Sequence, residues 1–197
     1  VYELKNRILP KQIELVITGT TVLWANMDTQ VSHTQLVSLI GMASSLVVFL
    51  MVLFRSFKLG LIGILVNALP LAITLGVMGW LDIKINMATA IIGGISLGIV
   101  VDDSIHFISG IRSRLNQGIQ LEEAIQQTMK TVGNSILMTS IILIGGFSCM
   151  ATSNFLPSAH FGIFISLAIA IALVLDVFIV PALLLIFKPS ISKREKS

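Results

Sequence analysis

Charge is what this sequence has least of. Of 197 residues, 12% are charged and 55% are hydrophobic, whereas a soluble domain carries about 25% charged residues. A water-soluble fold would need more polar surface than the chain possesses, and a disordered chain needs the opposite balance, low hydrophobicity with high charge. Cysteine occurs once, as Cys149 inside an apolar run, which excludes a disulfide framework and a cysteine metal site. The three histidines, His33, His106 and His160, are far apart and show no ligand spacing. No basic stretch is interleaved with aromatics, which argues against a nucleic-acid partner. No positively charged leader precedes a short apolar stretch, so no signal peptide is read. The chain, opening on Val1, reads as part of a longer polypeptide. What remains is the bilayer as part of the solvent.

Long uncharged runs are what the sequence does have. A bilayer-crossing helix needs about 20 mostly apolar residues. Residues 34–54 are uncharged up to Arg55, and 59–81 are bounded by Lys58 and Asp82. Residues 85–111 are interrupted only by Asp102, Asp103 and His106. From Thr131 to Phe187 the one formal charge is Asp176, and Ser153-Asn154-Phe155-Leu156-Pro157 splits this run into crossings at 131–152 and 158–187. Bare strands and loops do not survive in hydrocarbon, so all five runs are expected to be helices. Arg55, Lys58, Arg112, Arg114, Lys130, Lys188, Lys193, Arg194 and Lys196 then fall on one side, and the opposite short loops carry only Lys84. The positive-inside rule makes the basic side cytoplasmic.

The flanks are polar. Residues 1–33 are expected outside the membrane, with Gln12 to Thr18 as a β-strand ended by Gly19, the last piece of an extracytoplasmic α+β domain. Residues 119–130 are amphipathic, with Leu121, Ala124, Ile125 and Met129 on one helical face, and are expected to lie along the cytoplasmic surface. Asn116-Gln117-Gly118 breaks this helix from the third crossing. Residues 188–197 form a basic cytoplasmic tail. The fold class is thus all-α membrane protein: five crossings, an amphipathic helix and a short strand remnant.

The chemistry lies in the third crossing. Two ionised Asp residues near a helix centre cost about 5–7 kcal/mol together, and the aliphatic residues of this span return only about 0.3–0.6 kcal/mol each. Asp102 and Asp103 therefore need neighbours that hide them or protons that neutralise them. Adjacent carboxyls in a low dielectric do not both ionise easily, and they titrate as a coupled pair. That is the chemistry of a proton carrier. The bland alternative is an ion pair that holds helices together. No Lys or Arg lies within the five runs, which weakens it. Gly94, Gly98, Asp102 and His106 share one helical stripe, and Ser96 and Asp103 another. The Gly94/Gly98 pair is a small-xxx-small motif expected to admit a neighbouring helix. His106, Asp176, Thr139 and Ser140 are candidates for a secondary relay. Each also has a plainer reading as a snorkelling, capping or packing group. No cofactor or metal is expected, the coupling ion being the proton.

The segment from Gly98 to Phe107, Gly-Ile-Val-Val-Asp-Asp-Ser-Ile-His-Phe, resembles the fourth-helix signature of the resistance-nodulation-division superfamily, especially its mycobacterial-membrane-protein-large and hopanoid-exporter branch. Further likenesses follow in order. These are Val16 to Gly19, Phe54 to Gly60, Asn67-Ala68-Leu69-Pro70, Gly133 with Thr139-Ser140 and Gly145-Gly146-Phe147, and Asp176 with Pro181-Ala182-Leu183-Leu184. The resemblance implies a six-helix half related to a second half by a pseudo-twofold axis, this chain supplying helices two to six. It also implies proton relay by Asp102 and Asp103, and export of hydrophobic or lipid-like molecules across a bacterial inner membrane. The implied partners are membrane lipids, such a substrate, and the other half in the same longer chain or as a dimer. The main rival is a sterol-sensing-type module that binds lipid without transport. An intramembrane aspartyl protease is disfavoured, because the Tyr-Asp and Gly-x-Gly-Asp patterns of such enzymes are missing. Protein-export accessory subunits resemble the topology but differ after the first Asp.

Overall fold

The computed structural model describes residues 19–54, 57–83 and 87–187. All regular structure among them is helical. Helix α1 is Thr20–Phe54, α2 Phe57–Trp80 and α3 Met87–Asn116. Helix α4, Leu121–Thr128, passes through a π turn at Met129–Gly133 into α5, Asn134–Ser148, which ends in a 3-10 turn at Cys149–Thr152. Helix α6, Leu156–Val174, passes through a second π turn, Leu175–Ile179, into α7, Val180–Phe187. The strand expected at 12–18 and the basic tail at 188–197 lie outside the described residues.

Four segments are long and apolar enough to cross a membrane: Gly60–Trp80, Ile91–Asn116, Leu121–Thr152 and Leu156–Ile186. At about 1.5 Å per residue the shortest spans about 32 Å, which matches a hydrocarbon core of about 30 Å. The apolar part of α1, Val37–Leu53, is shorter, but α1 itself runs 35 residues without a break. The amphipathic segment and the fourth crossing are continuous. A π turn inserts one residue and lets the helix change face without unwinding.

Helix ends are set by local chemistry. Gly118 has φ +86°, and the bonds Gly118 N–H to Leu115 O and Ile119 N–H to Arg114 O, at 3.0 and 3.2 Å, close α3 in a Schellman motif. The same pair of bonds closes α2, from Asp82 to Gly79 O and Ile83 to Met78 O. Asp82 holds the left-handed position there, with φ 54°. Several hydroxyls within the spans bond back one turn, as in Thr74 to Pro70 O at 2.7 Å and Ser44 to Ile40 O at 2.7 Å.

Helix α6 packs against α2, α3 and α5, and α1 packs against α2 and α3. The core is two apolar clusters. One gathers Leu50, Ile62, Val66, Phe107, Ile108, Ile111, Ala124, Ile125, Ile136, Val180 and Leu184 at the end that carries Arg112 and Arg114. The other gathers Met78, Ile92, Phe164, Ile165 and Ile169 at the opposite end. The expected apolar face of residues 119–130 is the one used: Ala124 and Ile125 are buried in the first cluster, with Leu121 and Met129 against it.

Arg114 fastens α3 to α4. Its Nη1 donates to Gly110 O and Thr128 Oγ1, both at 3.1 Å, and its Nη2 donates to Thr131 Oγ1 at 2.8 Å. A lysine ammonium lacks the planar fork that reaches three acceptors in fixed directions. Arg114→Lys is therefore expected to destabilise the protein by about 2 kcal/mol, given hydrogen bonds from a charged donor of about 1.5–3 kcal/mol each less what partial exposure returns. The check is denaturant unfolding in detergent micelles, where wild-type stability in the lysine variant would remove the fork from the account.

Candidate functional site

Between the two apolar clusters lies a polar layer. On α2 the first cluster takes Ile62 and Val66 and the second takes Met78, which leaves Asn67 and Thr74 between them. By the same register, Ser96 and Ser104 on α3, Ser140 on α5 and Asp176 in the second π turn fall between the clusters. All six are buried. Buried polar groups need partners, yet Asn67 Oδ1, Ser140 Oγ and Asp176 Oδ2 have none among the described residues. Asn67 donates only to its own helix, to Gly63 O at 2.6 Å.

Helix α3 turns about 100° per residue and so spreads the acidic motif around its circumference. Its buried face is Ile92, Ser96, Val100, Ser104, Ile108 and Ile111, a stripe of spacing three and four. Asp102 lies on the outer face with its side chain 73% exposed, and His106, at 69%, is one turn on. His106 Nε2 stands 3.5 Å from Asp102 Oδ1. Asp103 lies between the two faces, half-buried. Ser104 points inward at 1% exposure and donates its Oγ–H to Asp176 Oδ1 at 2.7 Å.

The sequence-predicted residues are therefore distributed rather than gathered. Asp102 and His106 share the outer face as their stripe predicted. Asp176 is tied to α3 through Ser104, the chain neighbour of Asp103. Thr139 is exposed and bonds its own helix, to Ser135 O at 3.1 Å and Ile136 O at 3.0 Å. Ser140 is buried on α5, the helix that packs on α6. Gly94 has Met42 Cε 3.5 Å from where a Cβ would stand, and Gly98 has nothing within 4 Å. The tighter approach of α1 to α3 is at Gly93, where a Cβ would stand 2.7 Å from Leu39 Cδ2.

Ser104 is the residue the sequence reading missed. Its signal was present: on the stripe Ile92, Ser96, Val100, Ser104, Ile108 the two serines are the polar exceptions on an otherwise apolar face. Among the described residues no group of His, Cys, Asp and Glu could hold a metal ion.

The chain as a whole has relatives. The model of the MMPL family matches residues 3–196. The chain belongs to the MMPL family. A membrane protein of Methanocaldococcus jannaschii is 28% identical over 181 residues, covering 90% of this chain and 46% of that protein. The mycolic acid-containing lipids exporter MmpL11 of Mycolicibacterium smegmatis is 28% identical over 186 residues, 87% of this chain and 20% of that protein. The heme uptake protein MmpL11 of Mycobacterium tuberculosis is 26% identical over 186 residues, 87% of this chain and 19% of that protein. The chain thus spans about half of the first relative and about a fifth of the other two. This MMPL-family chain is a multi-pass membrane protein whose regular structure, among the described residues, is all helical.

Proposed function

We propose that this MMPL chain is the membrane-spanning part of an exporter of the resistance-nodulation-division type, driven by the proton-motive force and acting on hydrophobic or lipid-like molecules. Asp102 and Asp103 are its proton relay. The observation that carries the reading is the placement of the two carboxyls. They are neighbours at mid-depth in a membrane-length helix, one on its outer face and one half-buried beside it, with no Lys or Arg paired to either among the described residues. Intramembrane carboxyls without a fixed cation mark proton and ion pathways.

Two acids that face different surroundings form a step between them. A proton taken up at Asp102, beside His106, has Asp103 as its next acceptor, and neutralising Asp103 removes a charge from the α3–α6 side of the bundle. Each proton that crosses 100 mV supplies about 2.3 kcal/mol. Two supply about 4.6 kcal/mol, close to the roughly 5.5 kcal/mol that carries a two-state element from one conformation almost wholly to the other. The name of the M. smegmatis relative supports a lipid-like substrate, and no hydrolytic chemistry is required.

The finer architecture belongs to the same reading. The apolar part of α1 is a fifth crossing, the side bearing Arg112 and Arg114 is cytoplasmic, and the outer face of α3 is where the other half of the transporter packs. That half would cover Asp102 and His106. The test is Asp102→Asn with Asp103→Asn in the full-length protein, reconstituted in liposomes under an imposed proton gradient. Asn keeps the shape and cannot carry the proton. The expected result is loss of gradient-driven transport at normal protein levels. Undiminished transport in the double variant rejects the relay.

A further inference from the structure

We propose that Asp176 is a second proton-binding site, held across the α3–α6 interface by Ser104 and separate from the Asp102–Asp103 pair. The inference rests on the proton-coupled reading above and adds to it a site on another helix.

The local geometry comes first. Asp176 sits in the π turn Leu175–Ile179 and is 1% exposed. Oδ1 accepts from Ser104 at 2.7 Å, whereas Oδ2, on the same buried carboxyl, has no partner among the described residues. The π turn packs on α2, α3, α6 and α7. Helix α7 has no ionisable residue, and α2 has none after Lys58. Helix α6 offers only His160, sixteen positions earlier, or about 24 Å along the helix. Helix α3 brings Asp103, one position before the serine that bonds Asp176. Among the described residues no Lys or Arg pairs with this carboxyl, and its one donor is a neutral hydroxyl. A buried carboxylate with so little compensation is costly to maintain. A proton on Oδ2 removes the charge and leaves the Ser104 bond on Oδ1 intact.

The main chain is irregular at the acid itself. Val180 N–H bonds to Leu175 O, the five-residue pattern of a π turn. The next bond of that pattern, to Asp176 O, would have to come from Pro181, which has no N–H. A carbonyl acceptor therefore lies in the same turn as the acid. The site places the proton where two helices meet, because the Ser104–Asp176 bond joins the helix of the acidic pair to the irregular turn that follows α6. Asp103 precedes Ser104 in the chain, so the acidic pair and Asp176 share one link across the interface.

The test is infrared spectroscopy of the carboxyl C=O stretch in the full-length protein in lipid nanodiscs, with transport measured in parallel. A protonated-carboxyl band at neutral pH is expected to vanish in Asp176→Asn and to persist in the Asp102→Asn, Asp103→Asn double variant. In Ser104→Ala the band is expected to move to higher frequency, because the C=O loses its donor. The serine change is small enough to report even if the Asp176 variant folds poorly. A band unchanged in Asp176→Asn, or unmoved in Ser104→Ala, overturns the proposal. Undiminished transport in the double variant, with the band still lost in Asp176→Asn, rejects the relay at the pair and sustains the Asp176 site.

Discussion

Replacing Gly162 by leucine is expected to abolish correct packing of α5 against α6, and alanine alone to cost about 3 kcal/mol, at the upper end for overpacking. A Cβ at Gly162 would stand 2.5 Å from Phe147 O, 2.7 Å from Met150 Cβ and 3.2 Å from Ala151 N. Two of those atoms are backbone, and the third is fixed directly to it, so no rotamer change relieves the clash. The helices would have to separate, and separation is what this interface cannot absorb. In lipid, apolar side chains gain little by meeting one another, and association rests on close packing and interhelical hydrogen bonds. Just beyond Gly162 the bonds from Ser148 Oγ to Ser166 Oγ, at 3.2 Å, and from Ser166 Oγ to Ile144 O, at 3.3 Å, depend on the same spacing. Phe147 and Phe161 meet edge-to-face there, 6.1 Å apart. The measurement is denaturant unfolding in micelles, with Gly98→Ala as control. Gly98 has open space around it, and alanine in a helix gains about 1 kcal/mol in propensity. Equal behaviour of the two alanine variants would remove close approach as the reason for Gly162.

That contrast shows what the sequence exposes and what it conceals. The membrane class, the apolar runs and the break at Gly118 are written in composition and spacing, because hydrocarbon punishes charge and an unpaired backbone wherever they occur. The amphipathic face of α4 is equally legible, since one side of that helix must meet a core. The glycines that matter are not. Gly94 and Gly98 form the motif, but Gly93, Gly110 and Gly162 make the tight approaches, and only the relative rotation of two helices decides which glycine faces its neighbour. Both faces of α3 carry polar residues, so hydropathy does not say that Ser104 is the inward one. The π turns leave no mark at all. Lys130 and Thr131 look like a boundary between a surface helix and a crossing, yet one inserted residue lets the chain run through.

Phe107→Ala is expected to destabilise the bundle by about 2–3 kcal/mol, less than the roughly 3–5 kcal/mol typical of a water-soluble core. Phe107 is 1% exposed and belongs to the cluster that joins α1, α2, α3, α4, α5 and α7. In water the loss combines a transfer term and a cavity term. In lipid the separated helices remain in an apolar medium, so the transfer term nearly cancels and the cavity is what is left. About 100 Å³ of missing ring, at about 24 cal/mol per Å³, gives about 2.4 kcal/mol. Such a void is apolar and dry, so it is expected to bind benzene or xenon, and either ligand should recover part of the lost stability in the variant and none in the wild type. A loss well above 4 kcal/mol would show that a transfer term survives and that the unfolded reference state is hydrated. Phe107 lies one turn from Ser104, on the same side of α3. The variant therefore also separates packing from protonation: the Ser104–Asp176 bond needs the two helices side by side and not the ring, so the carboxyl band assigned to Asp176 is expected to survive while the stability falls.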